Sequence, residues 1–283
     1  MLERTIDGSL FREMLLMGAA CLEKNKQTID SMNVFPVPDG DTGTNMSMTM
    51  QRAVTEINGV KSNSVEDIAA ALATGALKGA RGNSGVILSQ IFRGFSRALK
   101  GTKEVITAEL LSEALTRGTE AAYKAVMKPV EGTILTVIRE ASTALSEFVR
   151  EKTTIEQAMN YFLDQARISL QHTPDLLPVL AEVGVVDSGG AGLVRIIEGM
   201  VSAVKGQVIT RNSDMGLMGQ DSLSREGSLY AGAKLVEGEE GYGYCTQFII
   251  RIDADNNEKR TFNEKTFKRF LTSHGNSVVV VRD

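Results

Sequence analysis

A chain of 283 residues, 42% of them hydrophobic, is long enough to bury a sizeable core and to form one or two domains. Its 31 Lys and Arg stand against 35 Asp and Glu, a formal charge of -4, so no excess of cations exists to neutralise a phosphate backbone and a nucleic-acid binder is disfavoured. No apolar run approaches the roughly 20 residues of a membrane span, and two cysteines far apart in sequence, Cys21 and Cys245, suit a reduced, cytoplasmic protein.

In chain order, the opening "MLERTIDGSLFREMLLMGAAC" ends in small residues, but Glu3, Asp7 and Glu13 interrupt it and its apolar stretch is too short for a secretory leader. From Leu10 to about Lys205 the pattern is helical. Phe11, Met14, Leu15, Gly18 and Leu22 recur at three- and four-residue steps, as do Ile134, Val137, Ile138, Ala141, Leu145 and Phe148, and then Ile155, Ala158, Met159, Phe162 and Ala166. Further helices are expected over residues 45–57, 64–79, 84–99, 107–127, 174–183 and 191–204. Thr153 with Glu156 reads as a capping box, and Ser64 with Asp67 as a weaker variant. No strand-like alternation interrupts these helices, which argues against a parallel-sheet nucleotide fold. After Lys205, "GQVITRNSDMGLMGQDSLSREGS" is polar and lacks a sustained period, as a linker does. From Tyr230, "YGYCTQFIIRID" suits a strand, "NEKTFKRFLTSHG" a short helix with a glycine stop, and "NSVVVVRD" another strand. That α/β segment is small for a core of its own and reads as an incomplete domain.

Three turns carry the chemistry. In "NVFPVPDGDTGTNM", Asp39 and Asp41 stand one residue apart on a Pro- and Gly-rich turn. An EF-hand loop starting at Asp39 fails, because Gly43, Thr44 and Met50 fill its fifth, sixth and twelfth positions. An aspartyl-nucleophile phosphatase fails too: Pro36 and Pro38 cannot sit in the central strand it needs, and Gly43 stands where Thr or Val belongs. What remains is either a pair of carboxylates holding hard cations with positions open to phosphate oxygens, or a solvated Asx turn. "KGARGNSGVILSQIF" places Gly82, Asn83, Ser84 and Gly85 at a helix start, where free N–H groups and the dipole attract anions, yet no Lys-Ser or Lys-Thr pair makes it a Walker loop. "VVDSGGAGLVRIIEGM" opens like a dinucleotide fingerprint, but Arg195 replaces the third glycine. Either glycine turn alone suits a plain connection between helices. Antiparallel helices bring alternate loops to one end of a bundle, so the three turns are expected to converge. His172 and His274 suggest no site, Cys21 reads as core, and the twelve methionines read as packing. Phosphoryl transfer needs no protein nucleophile.

In this order and spacing, "NVFPVPDGDTGTNM", "RGNSGVILSQIF", "PVEGTILTV" and "GVVDSGGAGL" resemble the nucleotide-binding domain of dihydroxyacetone kinases, over residues 1 to about 205. The resemblance is closest to the branch found in the ATP-binding subunit of bacterial fatty acid kinase, and "EGYGYCTQF" resembles the start of that subunit's middle domain. It implies an all-α fold, an eight-helix antiparallel barrel with ATP bound across one end through Mg2+, followed by the small α/β segment. The expected division is a kinase domain over 1–205, a linker over 206–229 and a partial middle domain over 230–283. Residue by residue, Asp39 and Asp41 would be the magnesium ligands on which catalysis rests. Asn33, one position further from them than the family's third aspartate, would offer an amide oxygen. Thr42, Gly43, Thr44 and Asn45 would lie along the phosphates, with Gly82, Asn83 and Ser84 beside them. Thr133 would sit near the base or ribose, and Asp187, Ser188 and Gly189 would close the pocket. The family's arginine ahead of the last motif has no counterpart in "HTPDLLPVL", which suits the fatty acid kinase branch.

In that branch the kinase phosphorylates the carboxylate of a fatty acid presented by a separate lipid-binding protein, giving an acyl phosphate. Its relatives are about twice as long, and Cys245 would belong to a metal site completed beyond residue 283, so no zinc site is expected within this chain. Two alternatives stand beside this reading: a triose kinase of the dihydroxyacetone type, and a nucleotide-binding module without catalysis of its own. Homodimerisation stays open.

Overall fold

The computed structural model describes residues 5–102, 104–207, 246, 250, 263–275 and 278–280. In chain order the elements are β1 (Thr5–Asp7), α1 (Gly8–Ser31), α2 (Thr42–Gly59), α3 (Val65–Gly79), α4 (Gly82–Ala98), β2 (Val105–Thr107), α5 (Ala108–Ala125), α6 (Ile134–Phe148), α7 (Ile155–Gln171), α8 (Thr173–Leu176), α9 (Pro178–Val183), α10 (Ser188–Val204) and α11 (Glu264–His274). The fold is all-α, as expected, with a minimal strand pair.

Apolar stripes at helical spacing drive the architecture. Leu15 and Leu22 of α1, Met46 and Met50 of α2, Ile68 and Leu72 of α3, Leu88 of α4, Leu111 of α5, Ile138 of α6, Phe162 of α7 and Val194 of α10 are all buried in one continuous core. Each such side chain contributes about 1.5–3 kcal/mol relative to leaving it in water. Every long helix packs on its successor in the chain from α1 to α7, α7 packs on α10, and α10 returns to α1. Eight long helices thus close a ring that alternates up and down. Glycines make the closing seam tight: a Cβ on Gly199 would lie 2.3 Å from the Met17 carbonyl oxygen and 2.7 Å from Gly18 Cα.

One short strand pair departs from the helical expectation. Thr5, Ile6 and Asp7 pair antiparallel with Thr107, Ile106 and Val105. Three residues are too few for a period-two pattern, and only Ile6 and Ile106 are buried. The strand pair holds the starts of α1 and α5 together. The capping box of α7 belongs to Thr154 and Gln157, one residue later than the sequence suggests, because the Thr153 hydroxyl accepts from the Arg150 N–H at 2.8 Å and closes the preceding turn. The helix expected over 174–183 is two short helices that break at Leu177, before Pro178.

Beyond α10, α11 falls where the sequence placed a short helix, and Val279 makes an isolated antiparallel bridge with Val126. Nearly all of the linker and the strand expected around Cys245 lie outside the described residues, as does Cys245 itself. Among the described residues no helix is long and apolar enough to cross a membrane.

Candidate functional site

The up-and-down order places the starts of α2, α4, α6 and α10 at one end of the ring, together with the ends of α1 and α7. The glycine-rich motifs are not loops before these helices but their first turns, since α2 opens at Thr42, α4 at Gly82 and α10 at Ser188. Contacts between them show the convergence. A Cβ on Gly82, which has φ +58°, would lie 2.6 Å from the Asn45 amide nitrogen, so the start of α4 lies against α2. Gly192 of α10 sits so close to α2 that a Cβ there would be 2.5 Å from Met46 sulfur, and a Cβ on Gly189 would touch Ile134 of α6 at 3.3 Å.

Asn33 ties the first motif to the last. Its side-chain NH2 donates to Asp39 Oδ1 at 2.8 Å and to the Val37 carbonyl at 2.9 Å. Its amide oxygen accepts from the Thr42 hydroxyl at 2.5 Å and from the Ser188 hydroxyl at 3.4 Å. Both amide groups are therefore occupied, and Asn33 is 7% exposed. One buried amide thereby fixes the carboxylate turn, the start of α2 and the start of α10, 155 residues apart in sequence. The turn itself contains a cis Phe35–Pro36 bond and Gly40 at φ +67°.

Asp41 occupies the N-cap position of α2 yet makes no capping bond. That task falls to Asp30, in the last turn of α1: its carboxylate accepts from the Thr44 N–H at 3.0 Å and from the Thr44 hydroxyl at 2.8 Å. The Asp41 carboxylate is thus released from the helix and faces Asp39. Burial, a hydrogen bond shared with Asp39, and the like charges of Asp39 and Asp30 raise its proton affinity above the ordinary carboxylate range, with a hydrogen bond from Asn45 working against them. A cation between the two carboxylates would relieve that repulsion. Among the described residues no three His, Cys, Asp or Glu side chains gather as a ready metal cage. Two carboxylates completed by water and phosphate oxygens is the pattern Mg2+ adopts, so the donor set fits that ion.

The start of α4 is also uncapped: Arg81 makes no side-chain cap bond, and the half-buried Asn83 and Ser84 side chains hydrogen bond to no other described residue. At α6, Thr133 caps Leu135 at 3.4 Å and donates to the Val130 carbonyl at 2.8 Å. Asp187 serves two helices. It accepts from the Gly190 N–H at 2.7 Å in its own helix and from the backbone of Ile134 at the start of α6. Burial pushes its carboxyl up to about 6, with those two backbone bonds opposing the rise. Glycines at 189 and 190 leave room for the approach, since Cβ atoms there would meet Asp187 or Ile134 and Val137 side chains.

Every expected site residue therefore lies at or beside one of these four helix starts. Asp30 was missed by sequence reasoning. It reads as an ordinary polar residue near a helix end, and only the packing of α1 on α2 gives it a partner 14 residues away.

Residues 36–202 match the family profile of the DAK2 domain, and residues 241–283 match that of the FakA-like middle domain of fatty acid kinase. Protein YloV of Bacillus subtilis (strain 168) is 43% identical over 280 residues, which is 99% of this chain and 50% of that protein. An uncharacterized protein of Staphylococcus saprophyticus is 44% identical over 278 residues, covering 98% and 49% respectively. The chain thus spans about half the length of the curated relatives it matches. A crystal structure of the dihydroxyacetone kinase from C. freundii in complex with AMP-PNP and Mg2+ superposes with a TM-score of 0.53 at 16% identity, over 69% of this chain and 34% of that one, which shows a common fold.

Proposed function

The chain belongs to the DAK2 domain family, and from that premise we propose that it is an ATP- and magnesium-dependent phosphotransferase whose acceptor is the carboxylate of a fatty acid presented by a lipid-binding partner. The family supports a kinase-type or nucleotide-binding role. The observation that carries the reading to these residues is a pair of helix starts without a cap of their own, α2 and α4, side by side next to Asp39 and Asp41.

Phosphates suit helix starts, where the dipole and the N–H groups that no cap has taken favour anions; at α2 Asp30 takes that of Thr44. The first turns Thr42–Gly43–Thr44 and Gly82–Asn83–Ser84 would receive the phosphate chain, with Asn45 between them, while Asp187, Ser188 and Gly189 close one side and Thr133 lies toward the nucleoside. Asp39 and Asp41 would hold Mg2+, which when bound supplies charge neutralisation at the β- and γ-phosphates. Asn33 orients Asp39, and Asp30 keeps Asp41 free, so both act as positioning residues. In the transfer, a carboxylate oxygen bonds to the γ-phosphorus while the bond to the β–γ bridging oxygen breaks. ADP departs with that electron pair, and no proton moves. A fatty acid with a pKa of about 4–5 is already ionised near neutral pH, so no strong general base is required, in keeping with the residues at hand.

The second reading is a nucleotide-binding module without catalysis of its own, because the family supports a nucleotide-binding role as well as a kinase-type one. One assay separates the readings: MgATP, the chain and a lipid-binding protein loaded with fatty acid, with hydroxylamine to trap acyl phosphate as the hydroxamate. Hydroxamate formation supports the kinase reading. Nucleotide binding without hydroxamate leaves the module, and phosphorylation of free dihydroxyacetone would replace the acceptor.

A further inference from the structure

Acyl phosphate formation has to bring an anionic carboxylate against an anionic phosphoryl group, beside Asp30, Asp39 and Asp41. The residues assigned above to the nucleotide include no Lys or Arg. Cations border them on the outer wall of the ring instead. Arg81 directly precedes α4, Lys78 lies in the last turn of α3, and Arg52 projects from α2; with Met48 and Gly79 they line a cavity of about 400 Å3.

Two residues of this cavity share a helix face with residues of the nucleotide end. Asp41, Asn45, Met48 and Arg52 follow each other at steps of four, three and four residues, so they share a face of α2. Met48 stands about 10 Å along the axis from Asp41, at about 1.5 Å per residue. Asn45 also touches Gly82, the neighbour of Arg81. Lacking a side chain, Gly79 leaves room for Arg52, whose Cβ would lie only 2.4 Å from a Cβ at that position.

The charges do not cancel. Glu56 pairs with Arg52 at 2.6 Å and with Lys78 at 3.2 Å. Arg81 donates to the Ala80 carbonyl at 2.8 Å and, among the described residues, pairs with no carboxylate. Three cations against one anion leave two positive charges in this cavity, on a chain whose formal charge is -4. Met48, 47% exposed, is an apolar surface in their midst.

We propose that this cationic pocket receives the carboxylate of the acceptor and delivers it to the phosphate end, while Met48 covers the first methylenes of the acyl chain. The proposal rests on the phosphotransferase reading above and deepens it. The guanidinium fork of Arg81 matches a carboxylate, and Lys78 and Arg52 add the field that offsets repulsion from the nucleotide. The volume of about 400 Å3 lies at the lower end of ligand-site volumes, about 300–1,000 Å3.

The test uses octanoate as probe, titrated by calorimetry into the chain with and without saturating Mg–AMP-PNP, beside octylamine, which has the same tail and the opposite charge. Octanoate is expected to bind in both conditions and octylamine in neither. Arg52→Ala/Lys78→Ala should weaken octanoate at least ten-fold and leave AMP-PNP affinity and Tm at the wild-type values, and Arg81→Lys should retain more octanoate binding than Arg81→Ala. Absent octanoate binding, equal binding of octylamine, or undiminished binding in both the double variant and Arg81→Ala would overturn the pocket. Failure of Mg–AMP-PNP to bind, with octanoate still bound by the wild type and lost in the variants, would instead overturn the nucleotide reading and leave the pocket standing.

Discussion

The two ends of the helical ring differ in how they cap their helix starts: at the site end Thr133 and Asp187 cap α6 and α10 from within, but α2 and α4 have no cap of their own. At the end away from the site, α1, α3, α5 and α7 are each capped from within: Asp7, Ser64, Thr107 and Thr154 accept from the N–H three residues on, at 2.8, 3.4, 3.3 and 3.2 Å. Arg12 adds carbonyl bonds to Val60 and Ser62 at 3.0 and 3.2 Å, pinning the α2–α3 connection to α1. At the site end, α2 and α4 have no cap of their own, α2 borrows Asp30 from α1, and Asp187 is shared between α10 and α6. A self-contained cap commits its carboxylate or hydroxyl to stability, whereas a borrowed one leaves the resident side chain available for a ligand. On the proposed function, the difference separates the end whose caps serve stability from the end that would bind nucleotide.

Substitutions sharpen that contrast. The largest effect on binding is expected for Asp41→Ala: AMP-PNP affinity in the presence of Mg2+ should fall more than 100-fold, about 3 kcal/mol, with little change in the urea midpoint, because Asp41 caps nothing. Equal affinity in the variant by calorimetry would remove the proposed ligand. Asn33→Leu should cost both properties. It leaves the Thr42 and Ser188 hydroxyls without their acceptor and frees Asp39, so about 1–3 kcal/mol of stability should go in denaturant unfolding, along with nucleotide affinity. At the far end Asp7→Ala should do the reverse, losing about 1 kcal/mol of stability while AMP-PNP binding stays intact; a binding defect there would break the division between the ends.

The mildest expectation concerns pH. The Asp187 carboxyl is raised to about 6 in the folded chain from an ordinary value of 3.8, so folding favours its protonated form. Its contribution to stability is fully present below about pH 4 and is lost as pH rises through about 6. Between pH 5 and pH 7 the loss is on the order of 1 kcal/mol. Asp187→Asn keeps an oxygen for Gly190 but cannot titrate, so its urea midpoint should vary less over that interval than the wild type's. An identical pH dependence in the two proteins would place the titration elsewhere.

Much of this was legible in the sequence because it is local. The stripes of α1, α6 and α7, the Ser64 cap and the three glycine-rich turns each depend on residues within a few positions of one another. What depends on distant partners was not. Asp30 gains its role across 14 residues and Asn33 reaches Ser188 across 155, and no periodicity encodes either pairing. The sequence also suggests later starts for α2, α4 and α10, since glycines disfavour helix interiors; in the first turn they cost less and allow the close approach of α2 to α4 and of α10 to α6. The break before Pro178 and the register of the Thr154 cap turned on single residues, where pattern reading is weakest.

Magnesium-dependent nucleotide binding at the starts of α2 and α4, which have no cap of their own, is the central claim, and calorimetric titration of AMP-PNP into the chain with and without Mg2+ tests it most directly. Binding in the micromolar range, about -8 kcal/mol, that disappears without Mg2+ and in Asp41→Ala is the predicted result. Binding of equal strength without Mg2+, or none in either condition, would contradict it.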